Sequence, residues 1–163
     1  YYEGHFDAVI NKYRECSISD WTPAGLAQVD PASPNGPDNQ VVAPILQRAW
    51  DLLPAETPWL PAHILDLHAS GAILAHVDNV DFSGGFVMGI CLLSPTVMRF
   101  CHQEQPECYV NAYLPPKCLY IQRGDLRYRF THEVPYADGE HNMFQGHRVP
   151  RGRRISILLR DAK

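Results

Sequence analysis

From residue 63 onward the chain breaks into short apolar segments of a length that suits strands and not helices. Residues 63–69, 86–93, 96–102, 109–114, 117–122 and 153–160 are rich in Val, Ile, Leu, Tyr and Phe, and Gly84-Gly85 and Ser94-Pro95 punctuate them. Many short strands bury enough surface only when two sheets face each other or one sheet closes on itself. The pattern therefore predicts an antiparallel double-sheet or jelly-roll core. Ahead of it, residues 41–53 place Val42, Ile45, Leu46, Ala49, Trp50 and Leu53 at helical spacing, with Pro44 read as first-turn and Pro54 following. The fold class is then mainly β with an N-terminal helix (α+β). At 163 residues the chain reads as one domain, 1–163, with a helical buttress over 1–62 and the jelly-roll core over 63–160. Residues 30–40, dense in Pro, Ser, Gly, Asn and Asp, read as a loop that tolerates insertion. Residues 1–13 fit either a strand or a short helix.

Charge and cysteine usage narrow the function. A net charge of -4 argues against a nucleic-acid binder, whose affinity rests on clustered Lys and Arg. The five cysteines are odd in number and contain no Cys-x-x-Cys pair, which fits a reducing compartment better than a disulfide framework or a thiolate zinc site. No apolar run is long enough to span a membrane, and a monomer is expected. The sequence opens on Tyr1 and not on Met, and targeting is not legible in it.

The candidate chemistry lies in His76, Asp78 and His132. On a strand, residues i and i+2 face the same way, so His76 and Asp78 would point together with Val77 opposite. Two imidazoles and one carboxylate are the ligands of a facial triad, which holds Fe(II) on one side and leaves the other open. An isolated His-x-Asp is weak evidence, since a surface His beside an Asp is the commoner case. Weight comes from the C-terminal strand. There Arg154, Ser156, Leu158 and Arg160 share one face, and Ile155, Ile157 and Leu159 form a buried aliphatic stripe on the other. The Arg face is either exposed, as on many sandwich sheets, or lines a barrel interior, where a guanidinium needs a paired anion. Tyr120, with Cys118 and Gln122, poses the same choice between core packing and a hydrogen bond to a carboxylate. His63, His68, His102, His141 and His147 read as surface or hydrogen-bonded residues, with His68 the rival ligand. Trp21, Trp50 and Trp59 read as packing residues, and residues 138–146 as a mobile loop at the site mouth. Arg148, Arg151, Arg153 and Arg154 read as a surface run beside a co-substrate Arg in preference to an RNA patch.

The order His-x-Asp, His, Arg resembles the AlkB branch of the Fe(II)- and 2-oxoglutarate-dependent dioxygenases, in particular its mitochondrial members. The likeness is carried by residues 65–71 with His76 and Asp78, by 92–99, by Leu119, Tyr120 and Ile121 with Arg123 and Gly124, by His132 and Glu133, and at greatest length by 148–156. It spans nearly the whole chain, with residues 30–40 the least similar part. The resemblance implies a double-stranded β-helix of the jelly-roll, cupin-like kind. It also implies Fe(II), 2-oxoglutarate and O2 as cofactor and co-substrates, with His76, Asp78 and His132 as metal ligands. Arg154 and Tyr120 would hold the distal carboxylate of 2-oxoglutarate. Arg160 fills the second Arg of the family's strand motif, and Ser156 stands where many members have Asn. Leu65 and Leu67 stand where nucleic-acid-repairing members carry an Asn and a Tyr that help bind 2-oxoglutarate.

The resemblance implies oxidation of a C–H bond coupled to decarboxylation of 2-oxoglutarate. It also implies a mitochondrial location with a role in regulated necrosis and fatty-acid metabolism. The short, Pro-rich segment 51–62 reads as a reduced lid with few basic residues. That favours a protein, a lipid-related metabolite, or a single-stranded or structured RNA over duplex DNA. RNA demethylation, and a regulatory protein that keeps the iron site but acts through partners, are the alternatives.

Overall fold

The computed structural model describes residues 1–4, 8–33 and 36–163. Its strands are β1 Tyr2–Gly4, β2 Ile10–Ile18, β3 Ala62–His76, β4 Phe86–Leu93, β5 Thr96–His102, β6 Tyr109–Leu114, β7 Leu119–Arg123, β8 Phe130–Val134, β9 Met143–Phe144, β10 His147–Arg148 and β11 Arg154–Arg160. The helical elements are α1 Pro23–Leu26, α2 Gly36–Trp50 and α3 Asp125–Tyr128. Nine strands form one antiparallel sheet in the order β6-β5-β8-β3-β11-β4-β7, with β2 and β1 added beside β3. The sheet curls into a nearly closed jelly roll. Its interior holds Leu65, Leu67, Cys91, Met98, Phe100 and Leu158 among others.

A second apolar cluster lies on the outside of the sheet. There Leu46, Ala49, Trp50 and Leu53 meet Met88, Ile90, Ile157 and Leu159. Period-2 alternation along β11 supplies both clusters, since Leu158 points inward while Ile157 and Leu159 pack under the helix. The face of Arg154 and Ser156 is therefore the barrel interior, and both residues are buried.

The helix begins earlier than its apolar spacing predicts. Residues 36–40, read as loop, are its first turn and more, so Pro44 lies inside the helix and not at its start. Residues 1–13 resolve into β1 and the beginning of β2, with 5–7 outside the described residues. β3 is the largest departure. Expected to stop at residue 69, it runs on to His76 past Gly71, where a Cβ would collide with the Asn11 and Lys12 carbonyls and the Leu67 side chain. Residues 63–67 of β3 pair with β11, and Ile73 and His76 pair with β8. One strand thus serves both halves of the barrel.

Asp66 fastens the outer face of this seam. Its carboxylate accepts hydrogen bonds from Arg153 Nε and Nη2 at 2.9 Å each, from Arg14 and from the Tyr1 hydroxyl. The Arg153 bond is the largest cause that holds the Asp66 carboxyl down at about 2. A carboxyl depressed in the folded state stabilises above its unfolded pKa and loses that contribution as acid titrates it. Asp66→Asn is predicted to lower stability at neutral pH and to flatten the fall in stability between about pH 4 and pH 2, checked by urea melts across that range. Leu46→Ala, which empties the fully buried centre of the helix–sheet contact, is predicted to cost about 2–5 kcal/mol in the same assay.

Candidate metal and co-substrate site

The continuation of β3 past Gly71 decides the site. It brings His76 into direct register with His132 of β8, so that two imidazoles stand side by side with centroids 4.3 Å apart. Phe100 of β5 pairs with His132 from the other side. Asp78 was expected on the same strand as His76. β3 instead ends at His76, and Asp78 lies in the segment that follows. Its Oδ1 still comes within 3.2 Å of His76 Nε2 and 3.7 Å of His132 Nε2, and the three donor atoms lie within 4.8 Å of one another.

Two arginines hold Asp78 there. Arg160 Nε donates to Oδ2 at 2.8 Å, and Arg127 Nη1 donates to the Asp78 carbonyl at 2.9 Å. His76 is oriented through its other nitrogen: Nδ1 lies 2.8 Å from the Leu74 carbonyl, so an Nδ1–H there turns Nε2 toward Asp78, where it donates when protonated and offers its lone pair to a metal when neutral. Burial, reinforced by His76, pushes His132 down to about 4, so it is a neutral donor at physiological pH. Burial alone would raise Asp78, but the His76 hydrogen bond and the Arg160 charge hold it far below the usual carboxylate range. Burial also opposes the protonation of His76, and the hydrogen bond to Asp78 overcomes it and shifts His76 upward. Two imidazole nitrogens and one ionised carboxylate oxygen on one side of a cavity form a donor set that fits Fe(II).

Behind the triad is an inner hollow of about 60 Å³ lined by Leu65, Tyr120, His132, Arg154, Ser156 and neighbouring side chains. Arg154 is 1% exposed. Its Nη1 donates to Ser156 Oγ and its Nη2 to Cys91 Sγ, both at 3.2 Å, and its Nε has no partner. Among the described residues no carboxylate pairs with it. A buried guanidinium in that condition is a receptor for an anion. Tyr120 sits opposite Gly89 across β4 and β7, and a Cβ on Gly89 would run into its ring. Burial pushes the phenol up to about 12, so it remains a hydrogen-bond donor.

Arg160, expected beside the co-substrate, lines the same hollow but spends its Nε on Asp78. Leu65 and Leu67 are buried, and Leu65 offers the hollow an aliphatic wall. His68 is not a rival ligand: it is exposed and bonds to Ser70. The basic run 148–154 is divided, with Arg154 inside, Arg153 on Asp66, Arg151 on the Pro135 and Gly71 carbonyls, and Arg148 on the Ala137 and Gly139 carbonyls. Residues 138–146, expected at the site mouth, instead contain the buried Asn142 and enter the β9–β10 hairpin, and they line neither cavity.

Sequence reasoning missed Arg127, Cys91 and His63. His63 bonds to Glu15 at 2.9 Å and lines an open outer groove of about 800 Å³ that shares His76, Asp78 and Arg160 with the hollow. Leu60, Pro61 and Phe82 give that groove an apolar rim, and Phe82 is 66% exposed. Partners so distant in sequence leave no local signal.

The fold is the jelly roll of the Fe(II) and 2-oxoglutarate oxygenases. The solved structure of OsALKBH1 superposes with a TM-score of 0.60 at 15% identity, covering 98% of this chain and 83% of that one. A prolyl-4-hydroxylase of Pseudomonas putida gives 0.55 at 14% identity over 98% and 76%. By sequence the chain is similar to an AlkB homologue: it is 39% identical over 159 residues to the mitochondrial alpha-ketoglutarate-dependent dioxygenase alkB homolog 7 of Mus musculus. That alignment takes in 96% of this chain, which spans 63% of the mouse protein's length. No family model matches the chain.

Gly89→Ala is predicted to push the Tyr120 ring out of place and to weaken 2-oxoglutarate binding at least tenfold, with metal affinity little changed; separate calorimetric titrations of the two ligands check the split.

Proposed function

We propose that the chain is an Fe(II)- and 2-oxoglutarate-dependent dioxygenase. The observation that carries this reading is the unpaired guanidinium of Arg154, enclosed in a small hollow that opens onto the His76, Asp78 and His132 donors. A metal triad alone fits many chemistries. A triad with a buried cation behind it fits a co-substrate that reaches the metal at one end and carries a carboxylate at the other.

Each residue then has a separable task. His76, Asp78 and His132 hold the metal. Arg154 and the protonated Tyr120 receive the distal carboxylate, and Ser156 fixes the Arg154 fork. Arg160 keeps the Asp78 carboxylate ionised and aimed. When bound, iron supplies the oxidation of a C–H bond coupled to the decarboxylation of 2-oxoglutarate by O2. The aliphatic interior around Leu65, Met98 and Leu158 keeps bulk water from the co-substrate end.

The outer groove takes the substrate. Its rim is apolar, and among its lining residues Arg160 is engaged with Asp78 while burial lowers the pKa of His63. With Arg148, Arg151 and Arg153 tied to Asp66 and backbone carbonyls, a protein or metabolite substrate is favoured over a polyanion such as RNA or duplex DNA. The mitochondrial setting comes from the relative's name. Roles in regulated necrosis and fatty-acid metabolism rest on the family resemblance alone.

Anaerobic titration with Fe(II) and then 2-oxoglutarate tests the reading through the metal-to-ligand charge-transfer absorption of the chelate. The band is expected in the native protein, weakened at least tenfold in apparent 2-oxoglutarate affinity in Arg154→Ala and lost in His132→Ala. A folded native protein that gives no band overturns the assignment.

A further inference from the structure

Arg127 is a buried cation that the co-substrate chemistry does not use. It is 1% exposed, lies in α3 between β7 and β8, and sits five residues before His132. Among the described residues no carboxylate pairs with it. Its hydrogen bonds go to a single stretch of chain. Nη1 donates to the Asp78 carbonyl at 2.9 Å, and Nη2 donates to Ser83 Oγ at 2.9 Å and reaches the Asn79 and Ser83 carbonyls at 3.5 Å each. Its Nε has no partner.

A bare guanidinium is costly to bury, and apolar packing alone would fill the same space at less cost. What the guanidinium can do, and an apolar side chain cannot, is fix several carbonyls at once with a rigid planar fork. The stretch it grips needs such a device. β3 ends at His76, so Asp78 has no strand ladder to set its position. Residues 79–83 are shaped by short-range turns, with Asp81 N donating to Asn79 Oδ1 and Ser83 N to the Asn79 carbonyl, and the far end is tied to the end of the chain by Gly84 N on the Asp161 carbonyl and Gly85 N on Asp161 Oδ2. Turns fix the segment's shape but not its place relative to β8. Arg127 belongs to the same connection that delivers His132, and so ties the Asp78 segment to the strand that carries His132.

Resting on the metal-centre reading above, we propose that Arg127 is a positioning residue for the metal. It sets the Asp78 backbone while Arg160 sets the Asp78 carboxylate, so the carboxylate donor is preorganised before any metal arrives. Preorganisation of a donor appears in metal affinity and ligand field, whereas a purely structural role appears only in stability.

The test is a Co(II) titration of the full chain without 2-oxoglutarate, followed by chelator competition and by the Co(II) d–d absorption, with melting of the metal-free protein measured in parallel. Arg127→Gln that still melts cooperatively is expected to bind Co(II) at least tenfold more weakly, with an altered d–d band. Wild-type affinity and an unchanged band in that variant overturn the proposal and leave the metal centre standing. If Arg127→Gln does not fold, Ser83→Ala decides: it removes one acceptor of the fork and is expected to lose affinity about threefold to fivefold, and an unchanged value overturns the proposal. Native protein that takes up no Co(II) overturns the metal centre itself and this inference with it.

Discussion

A guanidinium enclosed by a hydrophobic barrel is the constraint around which this protein is organised. Arg154 cannot be solvated where it sits, and the side chains around it offer only a hydroxyl and a thiol. A strand that carries such a residue inward must be held firmly from outside. Helix α2 does this, packing Leu46 and Trp50 on the outward Ile157 and Leu159 of the same strand. The apolar contact outside and the charge inside are thus two faces of β11, and the first stabilises a fold that the second, unliganded, weakens. On the proposed reading, a co-substrate carboxylate in the hollow would supply the missing partner, and ligand binding and folding would be linked at this residue.

The metal donors depend on a different device. β3 serves both halves of the jelly roll, and it continues past Gly71, where the Asn11 and Lys12 carbonyls leave no room for a side chain. Beyond that point a register irregularity between Ile73 and His76 precedes the pair of His76 with His132. Because the two histidines come from paired strands, their separation is fixed by sheet geometry. The carboxylate comes from beyond the strand end and is placed by Arg160 and Arg127.

Much of this was legible in the residues. The bounds of β4, β5 and β6 follow from alternation and from Gly84-Gly85 and Ser94-Pro95, since those segments are bounded by strong turn chemistry. The expected strand 63–69 stops short of Gly71, and only the tertiary setting shows that this glycine serves a close approach inside a strand. β2 was missed in part because Asn11, Lys12, Arg14 and Glu15 give it no clean apolar face. The start of α2 was placed too late because Gly36, Pro37 and Asn39 are weak helix formers, although a helix can begin with such residues when its later turns are buried. For the site, the donor types and their order along the chain carried the reading. What each arginine meets was not legible. Arg160 and Arg154 look alike on a strand, yet one meets a side-chain carboxylate and the other none, and Arg127 binds carbonyls, which every residue has.

The grip of Arg160 on Asp78 has one more consequence. It engages Oδ2, and Oδ1 alone faces the imidazoles. If the site holds a metal as proposed, a carboxylate with one oxygen engaged in this way would give it one bond in place of a chelating pair. Three side chains would then hold the ion and leave room for exchangeable ligands. Arg160 would limit Asp78 to a single donor oxygen through a hydrogen bond of its own.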